Sequence, residues 1–155
     1  MRNGFPDLIE NLTSVPRELT RRPSRQSQVR ANQLVGFNVN LSTRDLAIGK
    51  KIARALHEKK GGLVGVRAMA AEIPKMGIVQ IGMSVYDYEK TPLYRVYELL
   101  KLETQRHTLS IISSEFNGMA PLGAVLDVAN YYLRVTNLND DRIIETAICK
   151  RLQNE

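Results

Sequence analysis

The feature that most constrains this chain is a stretch, residues 34–41, in which apolar and small polar side chains alternate strictly. Val35, Phe37, Val39 and Leu41 take one parity and Gly36, Asn38 and Asn40 the other. Successive side chains of a strand point to opposite faces, so this is a strand with one buried face. Residues 78–86 repeat the pattern, with Val79, Ile81, Met83 and Val85 against Gln80, Gly82, Ser84 and Tyr86. Residues 63–71 set Val64, Val66 and Ala68 against Leu63, Gly65, Arg67, Met69 and Ala71. A fourth strand over 109–113 sets Leu109 and Ile111 against Ser110, Ile112 and the following Ser114.

Helical spacing separates these strands. Leu46, Ile48, Ile52, Ala53 and Leu56 recur on one side of a helix that Ser42 or Thr43 can cap and Gly61-Gly62 ends. Pro74 and Gly77 turn the second strand into the third. Thr91-Pro92 opens a second helix, a capping hydroxyl followed by proline in the first turn, lined by Leu93, Val96, Tyr97, Leu100 and Leu102 to about His107. Residues 121–134 and 140–152 predict two closing helices, the last capped by Asn139 or Asp140. The order βαββαβ predicts an α+β, ferredoxin-like domain: one antiparallel sheet with both crossover helices on one face, followed by two C-terminal helices.

If the helices cover one face, the residues of opposite parity form the other. A solvated sheet face usually carries threonine or long charged side chains, which tolerate extended backbone. This one is built from glycine, asparagine, serine and glutamine with one arginine. Glycine weakens a strand and often marks close approach by a ligand or another backbone. Asn38, Asn40 and Gln80 offer donors and acceptors, Ser84 a hydroxyl, and Arg67 a fork for a carboxylate. These five are the candidate binding residues. A plainly solvated face is the competing explanation.

Length and composition bound the rest. At 155 residues, 43% of them hydrophobic and 25% charged, the chain suits one globular domain. Residues 1–32 read as a basic, mostly irregular segment and 33–155 as the domain. Pro16 and Pro23 interrupt the first part beyond a short helix over 7–12. Much of the net +6 lies in Arg17, Arg21, Arg22, Arg25 and Arg30, and residues 33–155 hold 16 basic against 13 acidic side chains, so the domain itself is not strongly basic. That segment reads as a solvated linker more readily than as a nucleic-acid arm, and no aromatic-rich strand offers to stack bases. Arg21-Arg22-Pro23-Ser24 matches a short basic phosphorylation pattern that is common by chance. A lone Cys149 and the lack of any apolar run of ~20 residues predict a soluble, cytoplasmic protein without a membrane span. One cysteine and two distant histidines supply no metal cluster. His57 and His107 stand near helix ends, where a histidine is usually a surface or capping residue, and no residue is predicted to be catalytic.

Phe37-Asn38-Val39-Asn40-Leu41, Asp45-Leu46-Ala47-Ile48 and Lys50-Lys51-Ile52-Ala53 resemble the start of the C-terminal subdomain of the glutamate formimidoyltransferase family. The resemblance continues through Gly61-Gly62-Leu63, Gly77-Ile78-Val79-Gln80, Thr91-Pro92-Leu93 and Ser114-Glu115, with Gly118 and Pro121 following. It implies a two-subdomain enzyme that moves a formimino group between tetrahydrofolate and glutamate, the two sheets face to face and the folate between them. It also implies that the catalytic histidine belongs to an N-terminal subdomain with no counterpart here. Residues 1–12 resemble the end of the connecting region. Val29-Arg30-Ala31 replaces a Gly-Ala-Arg stretch of the family, and Met83-Ser84 replaces its usual Met-Asn.

Two expectations for function follow. One is a formimidoyltransferase-like subdomain contributing a folate- and glutamate-binding sheet surface through Asn38, Asn40, Arg67, Gln80 and Ser84. The other is a non-enzymatic module that pairs through the open face, as a homodimer or within a larger assembly.

Overall fold

The computed structural model describes residues 34–153. The arginine-rich stretch, the helix expected over 7–12 and the basic phosphorylation pattern lie outside the described residues. Four strands form one antiparallel sheet: β1 Val35–Leu41, β2 Val66–Ile73, β3 Ile78–Val85 and β4 Ile111–Asn117, in the order β2-β3-β1-β4. Helix α1 (Leu46–Leu56) crosses from β1 to β2, and α2 (Leu93–Arg106) from β3 to β4. Helices α3 (Leu122–Leu133) and α4 (Ile144–Leu152) close the domain. This is the ferredoxin-like α+β arrangement expected from the sequence.

Alternation in β1 and β3 builds the core. Val35, Phe37, Val39 and Leu41 together with Val79, Ile81, Met83 and Val85 are buried beneath Ile52, Ala53 and Leu56 of α1 and Leu93, Val96 and Leu100 of α2. Each such side chain removed from water stabilises the fold by roughly 1.5–3 kcal/mol before entropy is counted. Ala124 brings α3 into the same core. Tyrosines seal α2 against α3: the rings of Tyr94 and Tyr131 stack at 4.2 Å, and the Tyr132 hydroxyl donates to Glu98 Oε1 at 2.6 Å. Burial and the neighbouring Glu98 carboxylate hold that hydroxyl well above the usual tyrosine range, so the proton stays in the bond.

Several boundaries differ from expectation for identifiable reasons. Asp45 caps α1: its carboxylate accepts from the backbone N–H groups of Ala47 and Ile48. Thr43 instead takes the Asp45 N–H, and Ser42 takes the Ser110 N–H across the sheet. Helix α1 stops at Leu56, and a short 3-10 turn carries the chain to Gly61 at φ 89, a backbone angle that suits glycine. Thr91 does not cap α2. It is 4% exposed, and its hydroxyl donates to the Val64 carbonyl at 2.6 Å, tying the entrance of α2 to the start of β2. The last helix begins at Ile144 with no side-chain cap, after a 3-10 turn over Asp140–Arg142. No described helix is long and apolar enough to cross a membrane.

Candidate binding face

The side of the sheet away from α1 and α2 carries the residues of opposite parity, and strand register sorts them into three cross-strand rows. Arg67, Ser84, Gly36 and Asn117 form the first, running from β2 through β3 and β1 to β4. Met69, Gly82, Asn38 and Glu115 form the second; Ala71, Gln80, Asn40 and Ser113 form the third. All five residues singled out from the sequence therefore share this face. Leu63, expected on it, lies before β2 and packs against the core instead. Val64, expected in the core, is 60% exposed. Gly65 at φ 71 turns the chain there, so β2 begins at Val66.

The amide side chains form a connected network. Gln80 Nε2 donates to Asn40 Oδ1 and to Glu115 Oε1, each at 2.9 Å. Asn40 Nδ2 donates to Ser113 Oγ at 2.9 Å. Asn38 Nδ2 donates to Asn117 Oδ1 at 3.2 Å and leans on Glu115 Oε1 at 3.5 Å. Asn40 is 8% exposed, so the network is anchored in the domain rather than drifting in solvent. Arg67 lies over the Tyr86 ring, 4.9 Å from its centroid, which leaves its N–H fork able to reach outward. Ser84 lies beside it in the same row and makes no side-chain hydrogen bond among the described residues.

Glu115, Ser113 and Asn117 were not expected on this face. A bulge in β4 puts them there: Leu41 pairs with Ile111, but Asn40 pairs with Ser113, which leaves Ile112 as an extra residue. The bulge reverses the parity of everything after it, so Ser114 opposes Val39 on the helix side, not the open side. Ser110 precedes the strand. Two consecutive isoleucines in an otherwise alternating stretch are the signal of that break.

The centre of the face is low. Gly36, Gly82 and Ser84 occupy neighbouring positions of the two inner strands, with Arg67 and Met69 rising on the β2 side and Asn38, Glu115 and Asn117 on the β4 side. A Cβ added at Gly82 would stand 3.3 Å from Asn38 Oδ1, and one at Gly36 2.9 Å from Asn117 Cβ, so side chains there would disturb the network. This is a shallow trough with a cation at one flank, a carboxylate at the other and a floor of backbone, suited to a flat, polar-edged ligand. The two histidines are elsewhere: His57 ends α1 and His107 ends α2. No group of three or more metal-ligating side chains occurs among the described residues.

Residues 36–153 match the family model described as the formiminotransferase domain. The chain belongs to the formiminotransferase domain family. It is 41% identical over 122 residues to a glutamate formimidoyltransferase of Thermoplasma acidophilum, covering 79% of this chain and 40% of that protein. It is 39% identical over 106 residues to one of Streptococcus pyogenes, covering 68% of this chain and 36% of that protein. A formimidoyltransferase-cyclodeaminase of Sus scrofa is 34% identical over 112 residues, 68% of this chain and 20% of that protein. The chain thus spans well under half the length of these formiminotransferase relatives. The match runs across all four strands and all four helices, so every residue of the three rows falls within it.

Proposed function

We propose that this domain supplies one wall of a formimidoyltransferase site, its open sheet face holding tetrahydrofolate and the glutamate substrate. The observation that carries this reading is the three-row arrangement, in a domain of this family, of a guanidinium with no ion pair among the described residues, a glycine-floored trough and a carboxylate held by two amides. Each part of tetrahydrofolate has a matching element. The flat ring system suits the backbone floor over Gly36 and Gly82. Its N–H donors suit Glu115 and the Asn40 carbonyl, and a glutamyl carboxylate suits the fork of Arg67, which binds two oxygens at once. Transfer makes a bond from the formimino carbon to a folate nitrogen and breaks its bond to the glutamate nitrogen. The proton leaving the folate nitrogen must reach the departing glutamate amine. Neither histidine of this chain stands on the face, so this reading places the proton-carrying histidine on the opposite wall, with this wall binding and orienting.

Titration calorimetry with tetrahydrofolate tests the reading. The full chain should bind with a dissociation constant in the micromolar range. Arg67→Ala, which loses a charge-assisted hydrogen-bonded contact worth about 1.5–3 kcal/mol, should weaken binding roughly 10- to 100-fold. No heat of binding by the unaltered chain, or equal affinity in the variant, contradicts it.

A further inference from the structure

We infer that Gln80 is a positioning residue: it holds the Glu115 carboxylate and passes the direction of its hydrogen bonds along the polar network, without itself donating to the ligand. Its functional meaning rests on the folate-site reading above; the link between the two residues rests on the geometry of the network alone.

An ionised carboxylate only accepts hydrogen bonds. The amide atoms of Gln80 and Asn38 that face Glu115 Oε1, at 2.9 and 3.5 Å, are therefore the nitrogens. The same Gln80 nitrogen lies 2.9 Å from Asn40 Oδ1, so both of its hydrogens are spent inside the protein. With its oxygen facing Gln80, Asn40 turns its own nitrogen to Ser113 Oγ at 2.9 Å, and that hydroxyl accepts. On the other side of Glu115, the Asn38 nitrogen also donates to Asn117 Oδ1 at 3.2 Å. One charged group thus sets the direction of every bond in both branches.

What is left over faces the ligand. Glu115 keeps its second oxygen as an acceptor, while Ser113 keeps its hydroxyl hydrogen and Asn117 its amide N–H groups as donors. These three follow one another along β4 in the third, second and first rows. An N–H group of the ligand therefore belongs at Glu115, with acceptor atoms toward Ser113 and Asn117 about 6.7 Å to either side. Asn38 Oδ1 adds an acceptor beside the trough floor, 3.3 Å from where a Cβ at Gly82 would stand. Glu115 belongs to an edge strand exposed along most of its length, so packing does not fix its side chain. The Gln80 bond does, and ordering a contact group before binding favours affinity.

A double-mutant cycle separates this role from a direct contact. Titration calorimetry of the full chain with tetrahydrofolate compares the unaltered protein, Gln80→Met, Glu115→Ala and the Q80M/E115A double variant. Gln80→Met keeps the length of the side chain and removes its donor, and should weaken binding roughly tenfold. Glu115→Ala should weaken it at least as much. Because Gln80 acts through Glu115, the double variant should bind no more weakly than Glu115→Ala alone. Losses that multiply overturn the inference, since Gln80 would then meet the ligand itself. So does unchanged affinity in Gln80→Met. The same cycle on urea unfolding of the ligand-free chain should also be non-additive, and additive values overturn the inference without reference to folate. Absence of folate binding by the unaltered chain counts instead against the site reading, and the unfolding cycle then decides whether Gln80 holds Glu115. Should Gln80→Met fail to fold, Gln80→Glu, of the same shape with an oxygen in place of the donor nitrogen, replaces it in both cycles with the same expectation.

Discussion

Gly49 shows at the scale of one residue how closely the helix layer sits on the sheet. A Cβ at this position in α1 would stand 2.5 Å from Val79 Cγ1 of β3 and 3.2 Å from Ala70 Cβ of β2. Replacing glycine by alanine inside a helix normally stabilises by about 1 kcal/mol. Here the methyl has no space, and overpacking a core costs about 1–3 kcal/mol. Gly49→Ala should therefore lower the urea-unfolding free energy by about 1–2 kcal/mol; a gain in stability would show that α1 can retreat from the sheet. The polar face follows a different logic. Its glycines are bounded by Asn38, Met69 and Asn117 rather than by core side chains, so their absence of bulk shapes a surface rather than permitting a layer contact.

The β4 bulge decides at the scale of one element which chemistry the face presents. Deleting Ile112 restores simple alternation and leaves the pairs Leu41–Ile111, Asn40–Ser113 and Asn38–Glu115 as they are, so the Gln80–Glu115 and Asn40–Ser113 bonds survive. The deletion should therefore keep tetrahydrofolate binding in calorimetry, whereas Glu115→Ala in the unaltered strand should weaken it; equal affinity in Glu115→Ala would detach Glu115 from the site. β4 is also where the sequence was least legible. In β1 and β3 parity alone placed Asn38, Asn40, Gln80 and Ser84, because both strands are central and every second residue must be buried. At the edge of the sheet burial enforces nothing: β4 is exposed along most of its length, so composition does not reveal its register. Helix entrances were misread for a related reason. Ser42, Thr43, Asp45 and Thr91 are all competent caps, and which one acts depends on cross-strand partners, Ser110 and Val64, that lie far away along the chain.

Within residues 34–153 one sheet face is buried under two helices and the described residues leave the other open. The open one carries a polar network whose members come from three strands. Such a network orders side chains that would otherwise be solvated independently, and it ties β1, β3 and β4 together across the sheet. The proposed role, a wall for folate, follows from these rows and places the first contact at the Arg67 and Glu115 flanks of the trough. The side-chain amide groups of Asn38, Asn40 and Gln80 report on that directly, since each has its own pair of N–H resonances. Titrating nitrogen-15-labelled full chain with tetrahydrofolate should shift these three sets together with the Arg67 Nε–H signal, while the backbone signals of α3 and α4 stay in place. Shifts confined to the tyrosines between α2 and α3, or none at saturating folate, would contradict the claim that this face is the site.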